Sequence, residues 1–241
     1  MRWILLILLA LGLTVWFLPL SLVAPRLVPE LKADSISGSI WNGRIRNARY
    51  NGLLLGDLDV EADPYSLLSG EPGLRFSRLG NRRLEGRVSG NRRTQNVSGL
   101  SGDLELPLLP APVPPIGVRL DNVIASIGPN GCKAAGGRVE ASLPGLPFLG
   151  NAPRLSGTPA CDGDAFIARL TSPNALVGVN LRAWKDGRWQ ASIVANSSHP
   201  LATAPLRQLG FVQGPDGLHI SRQGGGPGAA SAQSPHPRPL P

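Results

Sequence analysis

The amino-acid sequence predicts a mostly β protein, in which a single N-terminal transmembrane helix is followed by one antiparallel, curved or twisted β-sheet domain. Three observations support this prediction. After residue 30, short segments of alternating apolar and polar residues recur, each ended by Gly, Pro, Asn or Asp. The same region contains no stretch with a clear helical period. Before it lies an uncharged, apolar run that is long enough to cross a membrane as a helix.

The apolar run occupies residues 3–24. At about 1.5 Å per residue, such a helix spans a hydrocarbon core of about 30 Å. A cleaved signal peptide is the alternative, but its apolar core is usually about 7–15 residues long and ends in small residues. Cleavage after Ala24 would place Leu22 three residues before the cut and Pro25 directly after it. The sequence therefore favours an uncleaved anchor over residues 1–24 and a domain that begins at residue 25.

The predicted β domain extends over residues 25–221. Segment 35–63 contains three predicted strands, separated at Asn42 and Gly43 and again at Asn51 and Gly52. Segments 74–106, 117–128 and 136–143 continue the series. Segment 106–115 holds five prolines, so we expect it to connect two halves of one domain in an extended form. The Gly- and Pro-rich tail, residues 222–241, has little to bury and is predicted to be disordered.

A β-hairpin is predicted near the end of the domain. Segments 175–184 and 188–195 both alternate apolar and polar residues. Between them, Asp186 and Gly187 supply the positive-φ position that a tight turn requires. Trp184 and Trp189 flank this turn. The two segments should therefore pair as antiparallel neighbours.

The chain contains two cysteines, Cys132 and Cys161. In an exported domain a lone pair favours a disulfide bond, which would contribute about 3–4 kcal/mol for a loop of this length. The alternative is two buried free thiols. Positive charges flank the apolar run almost evenly, so they do not decide the orientation. The signal-like leader and the cysteine pair favour a cytoplasmic N-terminus and a body outside the cytoplasm.

No catalytic, metal or cofactor site is predicted. The three histidines, His199, His219 and His236, fall into none of the usual catalytic or phosphate-binding motifs. Four acidic residues alternate between positions 57 and 63. We interpret them as one solvated sheet face, because no calcium-binding loop accompanies them.

A basic cluster lies between residues 75 and 93. Its members are Arg75, Arg78, Arg82, Arg83, Arg87, Arg92 and Arg93. One interpretation is that these charges keep turns and edge strands soluble. The other is contact with an acidic surface, either lipid headgroups or an acidic protein partner. Nucleic acid is not an expected partner, because the domain is exported and stacking aromatic residues are missing nearby.

The segment after the anchor resembles a motif of a known family. Residues 38–43 read Gly-Ser-Ile-Trp-Asn-Gly. They are similar to the Gly-(Ser/Thr)-(Ile/Val/Leu)-Trp-x-Gly element that follows the anchor in protein N of the bacterial type II secretion system. Segment 53–70 resembles that family's strand and Pro-x-x-Leu-Leu-x-Gly turn. Cys132, the glycine pair 136–137 and segment 155–161 resemble its C-terminal half, so the likeness covers about residues 1–195.

The motif Gly38, Trp41 and Gly43 also has an interpretation from the residues alone. We expect Trp41 to lie at the beginning of the first strand, which Gly43 would end, and its indole to pack across the sheet as a buried anchor. The alternative is an exposed Trp41 that contacts a partner.

The resemblance implies an inner-membrane accessory component of the machine that exports folded periplasmic proteins across the outer membrane. That role is assembly or stabilisation without catalysis, and its partners would be other inner-membrane or periplasmic secretion components. The alternative is a single-span periplasmic protein that handles lipid, similar to lipopolysaccharide-transport proteins. Such a protein needs a continuous apolar groove, and the sequence gives no support for lipid binding in the sheet.

Overall fold

The computed structural model describes residues 3–4, 6, 16–28, 31–50, 53–63, 66, 73–78, 82–90, 94–106, 114–143, 154–195, 206–214 and 217–224. Helix α1 covers Leu20–Leu27. The strands are β1 Leu31–Lys32, β2 Ser35–Ser39, β3 Asn42–Tyr50, β4 Leu53–Ala62, β5 Gly73–Arg78, β6 Leu84–Gly90, β7 Gln95–Leu106, β8 Ile116–Gly128, β9 Gly131–Ser142, β10 Arg154–Gly157, β11 Pro159–Asp162, β12 Ala165–Thr171, β13 Val177–Ala183, β14 Trp189–Ala195, β15 Val212–Gly214 and β16 Gly217–Gly224.

These strands form one antiparallel sheet that is not closed. From β3 to β10 each strand pairs with the next one in the chain, and the order then continues β12, β13, β14, β16 and β15. Strands β1 and β2 both pair with β3, and β11 pairs with β12. The pairing shifts register within β3–β4, β6–β7, β7–β8 and β8–β9. Such bulges bend and twist a strand pair. The prediction of a mostly β, antiparallel fold is confirmed.

The predicted late hairpin is present as β13 and β14. Its register runs from Val177 opposite Ala195 to Ala183 opposite Trp189. In this register Val179 faces Ile193, and both side chains are buried. The alternation of the two segments therefore places one face of the hairpin in the core.

The three strands predicted in segment 35–63 are also present, but their first boundary is shifted. Ile40 and Trp41 form the turn, while Asn42 pairs with Ser39 and begins β3. Gly43 therefore lies inside β3 and does not end the first strand. The second predicted boundary, at residues 51–52, lies outside the described residues.

The N-terminal segment differs from the predicted continuous helix over residues 3–24. Phe17, Leu18 and Pro19 are not helical, and Pro19 forms an isolated β-bridge with Ser39. Residues 5 and 7–15 lie outside the described residues. Within the part of the chain that is described, no helix is both long enough and apolar enough to cross a membrane.

Two apolar clusters lie on different parts of the sheet. The N-terminal half, α1 and β1–β7, contains the buried side chains Leu20, Ala24, Ile45, Ala48, Leu58, Val60 and Leu74. The C-terminal half, β8–β16, contains a larger cluster that runs from Ile116 to Ile220 and includes Leu155, Leu170 and Leu206. The segment predicted to connect the halves lies mostly outside the described residues. The last strand runs through Gly224, three residues into the predicted tail, and residues 225–241 are not described.

Candidate functional site

The hairpin tip, residues 38–43, joins β2 to β3 and depends on a glycine at its first position. Gly38 has φ +85°, a conformation that L side chains rarely adopt. A Cβ atom at this position would also collide with the carbonyl oxygen of Asn42. The backbone amide of Trp41 donates a hydrogen bond to Ser39 Oγ at 3.3 Å. The sequence of the motif therefore fixes the shape of the turn.

The N-terminal segment docks on this tip. Ile40 donates its backbone N–H to the carbonyl oxygen of Leu18 at 3.0 Å. Leu20, at the start of α1, is fully buried and lies over Gly43, where a Cβ atom would overlap the leucine side chain. A glycine at position 43 therefore leaves the space that Leu20 occupies. The motif Gly38–x–x–Trp41–x–Gly43 is a docking site for the chain that precedes it.

Trp41 projects from the tip toward the same segment. Its ring centroid lies 6.1 Å from that of Trp16, with the two ring planes tilted by 32°. Trp41 is half-buried, whereas Trp16 and Phe17 are 64% and 71% exposed. The prediction that Trp41 packs across the sheet as a core residue is wrong. The turn places its ring beside the N-terminal segment, and Ile40 is the residue of the tip that is buried.

The second candidate site is polar and lies at the end of β4, around Asp63. This carboxylate is 1% exposed and forms ion pairs with Arg87 and with Arg75, the latter at 3.6 Å. Its backbone N–H donates to the carbonyl oxygen of Gly73 at 3.0 Å. Ser66 Oγ donates to the carbonyl oxygen of Asp63 at 2.6 Å and accepts from the Gly73 amide at 2.9 Å. The predicted solvated acidic face is therefore wrong for Asp63, which follows the end of β4 and turns inward.

Arg78 is held by three backbone carbonyl groups. Its guanidinium donates to the carbonyl oxygens of Leu55 at 2.6 Å, Asp103 at 2.6 Å and Arg82 at 2.9 Å. Burial, and then the charge of Arg82, lower the pKa of Arg78 below its ordinary value. Since Leu55 belongs to β4 and Asp103 to β7, this side chain bridges two strands that are not neighbours in the sheet.

Among the other described members of the predicted basic cluster, one forms an ion pair within the chain and one is exposed. Arg82 forms an ion pair with Glu105 at 2.6 Å, and Arg83 is exposed. Arg92 and Arg93 lie outside the described residues. Four members, Arg75, Arg78, Arg82 and Arg87, therefore have partners within the chain. Contact of this cluster with an acidic partner stays a prediction.

Two open grooves follow the charged face of the sheet. One, of about 400 Å³, crosses β7–β10 and includes Arg82, Asp103, Glu105, Arg119 and Glu140. The other, of about 480 Å³, crosses β4–β7, and its lining includes Asp59, Glu61, Arg75, Glu85 and Arg87. Both grooves carry charges of both signs. Their chemistry suits polar contacts with a protein surface better than it suits acyl chains.

The two cysteines are joined by a disulfide bond, as the sequence predicts. Cys132 lies near the start of β9 and Cys161 lies in β11, with 5.5 Å between their Cα atoms. Gly131 packs directly against Asp164 in the adjacent turn, where no Cβ atom would fit. The bond therefore ties the β8–β9 turn to the β11–β12 hairpin.

The histidines do not form a shared site within the described chain. His219 lies in β16, whereas His199 and His236 fall outside the described residues. Among the described side chains, no group of three His, Cys, Asp or Glu residues could hold a metal ion.

Comparison with known proteins identifies one family. Residues 29–221 match the family described as "Type II secretion system (T2SS), protein N". The match includes the hairpin tip, Asp63 with its arginine partners and both cysteines. No curated protein and no solved structure matches the chain.

Proposed function

This chain belongs to the family of type II secretion system protein N, and from this membership we propose that it is an inner-membrane-anchored accessory component of the type II secretion machinery. It helps to assemble or stabilise the apparatus that exports folded periplasmic proteins across the outer membrane. The observation that carries the proposal is the family match, which extends over nearly the whole described sheet.

Exposed apolar side chains support the membrane anchor. Trp3, Ile4, Leu6, Trp16 and Phe17 are all exposed in the described part of the N-terminal segment. Large exposed apolar patches on a protein mark regions that contact lipid or another protein. The uncharged sequence around these residues is what a hydrocarbon environment requires.

The disulfide bond supports a periplasmic body. Disulfides persist in oxidising compartments such as the bacterial periplasm and are rare in the cytosol. Cys132 and Cys161 are therefore best suited to a domain on the periplasmic side of the inner membrane. With the N-terminus in the cytoplasm, the anchor would cross the membrane once.

Anchoring explains how this domain could act without catalysis. Confinement to one membrane raises the effective concentration of neighbouring components, so weak contacts suffice. The mixed charges of the two grooves and the open sheet provide surfaces for such contacts. Partners would be other inner-membrane or periplasmic components of the secretion machinery.

The first experiment is a mild-detergent pull-down of tagged full-length protein from native membranes, with co-purified proteins and lipids both analysed. We expect secretion-machinery components to be recovered. A matched variant with Arg119→Ala and Arg154→Ala, both in the β7–β10 groove, should recover less of them if that groove is used. Recovery of stoichiometric lipid without secretion components would contradict the proposal and favour a lipid-handling protein.

Two further measurements test the anchor and its orientation. Alkaline extraction of membranes should leave the full-length chain in the membrane fraction. A membrane-impermeant alkylating reagent, added to reduced intact spheroplasts, should label Cys132 and Cys161. Release by alkali would contradict the anchor, and labelling only after lysis would contradict the periplasmic location.

A further inference from the structure

We propose that the hairpin tip contacts the phospholipid headgroup region of the bilayer, with Trp41, Trp16 and Phe17 as the residues that lie there. This inference rests on the proposed anchoring and goes beyond it, because it assigns a lipid contact to the β domain itself. The motif of residues 38–43 would then be a membrane-docking element of the folded domain.

The first step is that the tip cannot move independently of the end of the apolar run. The Leu18 carbonyl oxygen accepts from the Ile40 amide, and Pro19 bridges Ser39. Leu20 is buried over Gly43, and Ala24, one turn later, is buried as well. Wherever the membrane-spanning chain leaves the bilayer, the hairpin tip must therefore lie beside it.

The second step is a comparison of lengths. Leu20 and Ala24 are packed against the sheet, so the apolar run that remains for the membrane ends at about residue 18. Because Phe17 and Leu18 are not helical, an α-helix in this run could extend at most over residues 3–16 and would span about 21 Å at a rise of about 1.5 Å per residue. A hydrocarbon core is about 30 Å thick. A span shorter than the hydrocarbon core is accommodated by local thinning of the bilayer, which brings the headgroup region to the residues that flank the span.

The third step is the chemistry of the residues at this level. Trp is enriched at membrane–water interfaces because its ring is apolar and its N–H group can hydrogen-bond. Trp16 and Phe17 are mostly exposed, and Trp41 lies against Trp16. Residues 38–43 carry no charge, and Arg44, the next residue, is ion-paired with Asp59 at 2.7 Å. The tip therefore places aromatic rings at the membrane–water interface, and the nearest charge in the sequence after it, that of Arg44, is neutralised by Asp59.

The test uses full-length protein reconstituted in phosphatidylcholine vesicles, with or without bromine atoms near the glycerol backbone of the lipid. Two single-tryptophan variants are compared, in which the other four tryptophans are replaced by Phe. One retains Trp41, and the control retains Trp184. Trp184 follows β13, which lies nine positions from β3 in the strand order of the sheet. Brominated lipid should reduce the emission of Trp41 and leave that of Trp184 unchanged.

Two other outcomes would overturn the inference in distinguishable ways. Equal emission of Trp41 in both vesicles, with the protein still floating with the lipid, would show an anchored domain whose tip stands away from the bilayer. Protein that does not float with the vesicles would refute the proposed anchor and this inference with it.

A second measurement avoids the multiple substitutions. The photo-reactive change Trp41→benzoylphenylalanine, made in an otherwise unaltered chain in native membranes, should give an adduct with phospholipid after irradiation. An adduct with a protein, including a second copy of this chain, would overturn the assignment of lipid to this surface.

Discussion

The two halves of the sheet are stabilised by different interactions. In the described chain, the C-terminal half contains 18 buried apolar side chains in one cluster and carries the disulfide bond. The cluster of the N-terminal half contains seven, and two of these, Leu20 and Ala24, belong to helix α1 rather than to the sheet. Around its small cluster lie the Asp63 ion pairs and the carbonyl contacts of Arg78.

This difference indicates where the stability of each half originates. Apolar burial contributes about 25 cal/mol per Å², so the larger cluster gives the C-terminal half more apolar stabilisation than the smaller cluster gives the N-terminal half. The N-terminal half has fewer apolar contacts and depends on buried charge pairing and on the docked N-terminal segment. We expect changes at these polar and docking contacts to act mainly on the N-terminal half.

The largest effect is expected from the double variant Arg75→Ala, Arg87→Ala. It leaves the carboxylate of Asp63, which is 1% exposed, without its two cationic partners. Breaking a buried ion pair by removing its cationic partners destabilises by about 3–5 kcal/mol. Hydrogen–deuterium exchange should show faster exchange in β4–β6 and no change in β12–β14.

The control for the stability measurement, though not for partner recovery, is Arg119→Ala. Its ion pair with Asp103 is exposed and should contribute about 1 kcal/mol or less. If the double variant instead unfolds like the parent chain but no longer retains secretion components, Arg75 and Arg87 act as contacts with an acidic partner. That result would contradict a structural role for these two arginines.

The double variant Cys132→Ser, Cys161→Ser should increase hydrogen–deuterium exchange in the C-terminal half and not in the N-terminal half. The bond closes a loop with a sequence separation of 29 residues, and its loss should reduce stability by about 3–4 kcal/mol. Exchange should increase in β9, β11 and β12, which the bond connects, while β3–β5 keep their protection. The parent chain under reducing conditions serves as the control and should match the variant. Equal loss of protection in both halves would show that the sheet unfolds as one unit and would refute the comparison.

The C-terminal half could be predicted from the sequence more fully than the N-terminal half. The β13–β14 hairpin is encoded locally, by alternation on both sides of Asp186 and Gly187. The disulfide is predicted because the sequence has one pair of cysteines in a domain that is expected to be exported. The inward turn of Asp63 was missed because its partners Arg75 and Arg87 lie 12 and 24 residues later, and no local pattern links them.

The docking of the N-terminal segment was missed for a related physical reason. An uninterrupted apolar run predicts one helix, but the contact of Leu20 with Gly43 joins residues from separate elements. Pro19 was the available signal, because a proline within an apolar helix marks the position at which the helix ends or bends. No local sequence pattern links Gly43 to Leu20, which lies over it in the fold.

The smallest of the three effects is expected from Gly43→Ala, which tests whether the N-terminal half depends on the docked segment. The added Cβ atom would overlap Leu20 and lie 2.9 Å from the Ser39 carbonyl oxygen, so both must shift. Overpacking of this kind costs about 1–3 kcal/mol. Exchange should increase in α1 and β2, and the Trp41 ring should become more accessible to an aqueous quencher. The control Gly178→Ala, in β13, places its Cβ atom 3.6 Å from the nearest atom and should leave both readouts unchanged. If Gly43→Ala leaves α1 protected, the helix is held by contacts other than Leu20, and the N-terminal half is less dependent on the motif than its packing indicates.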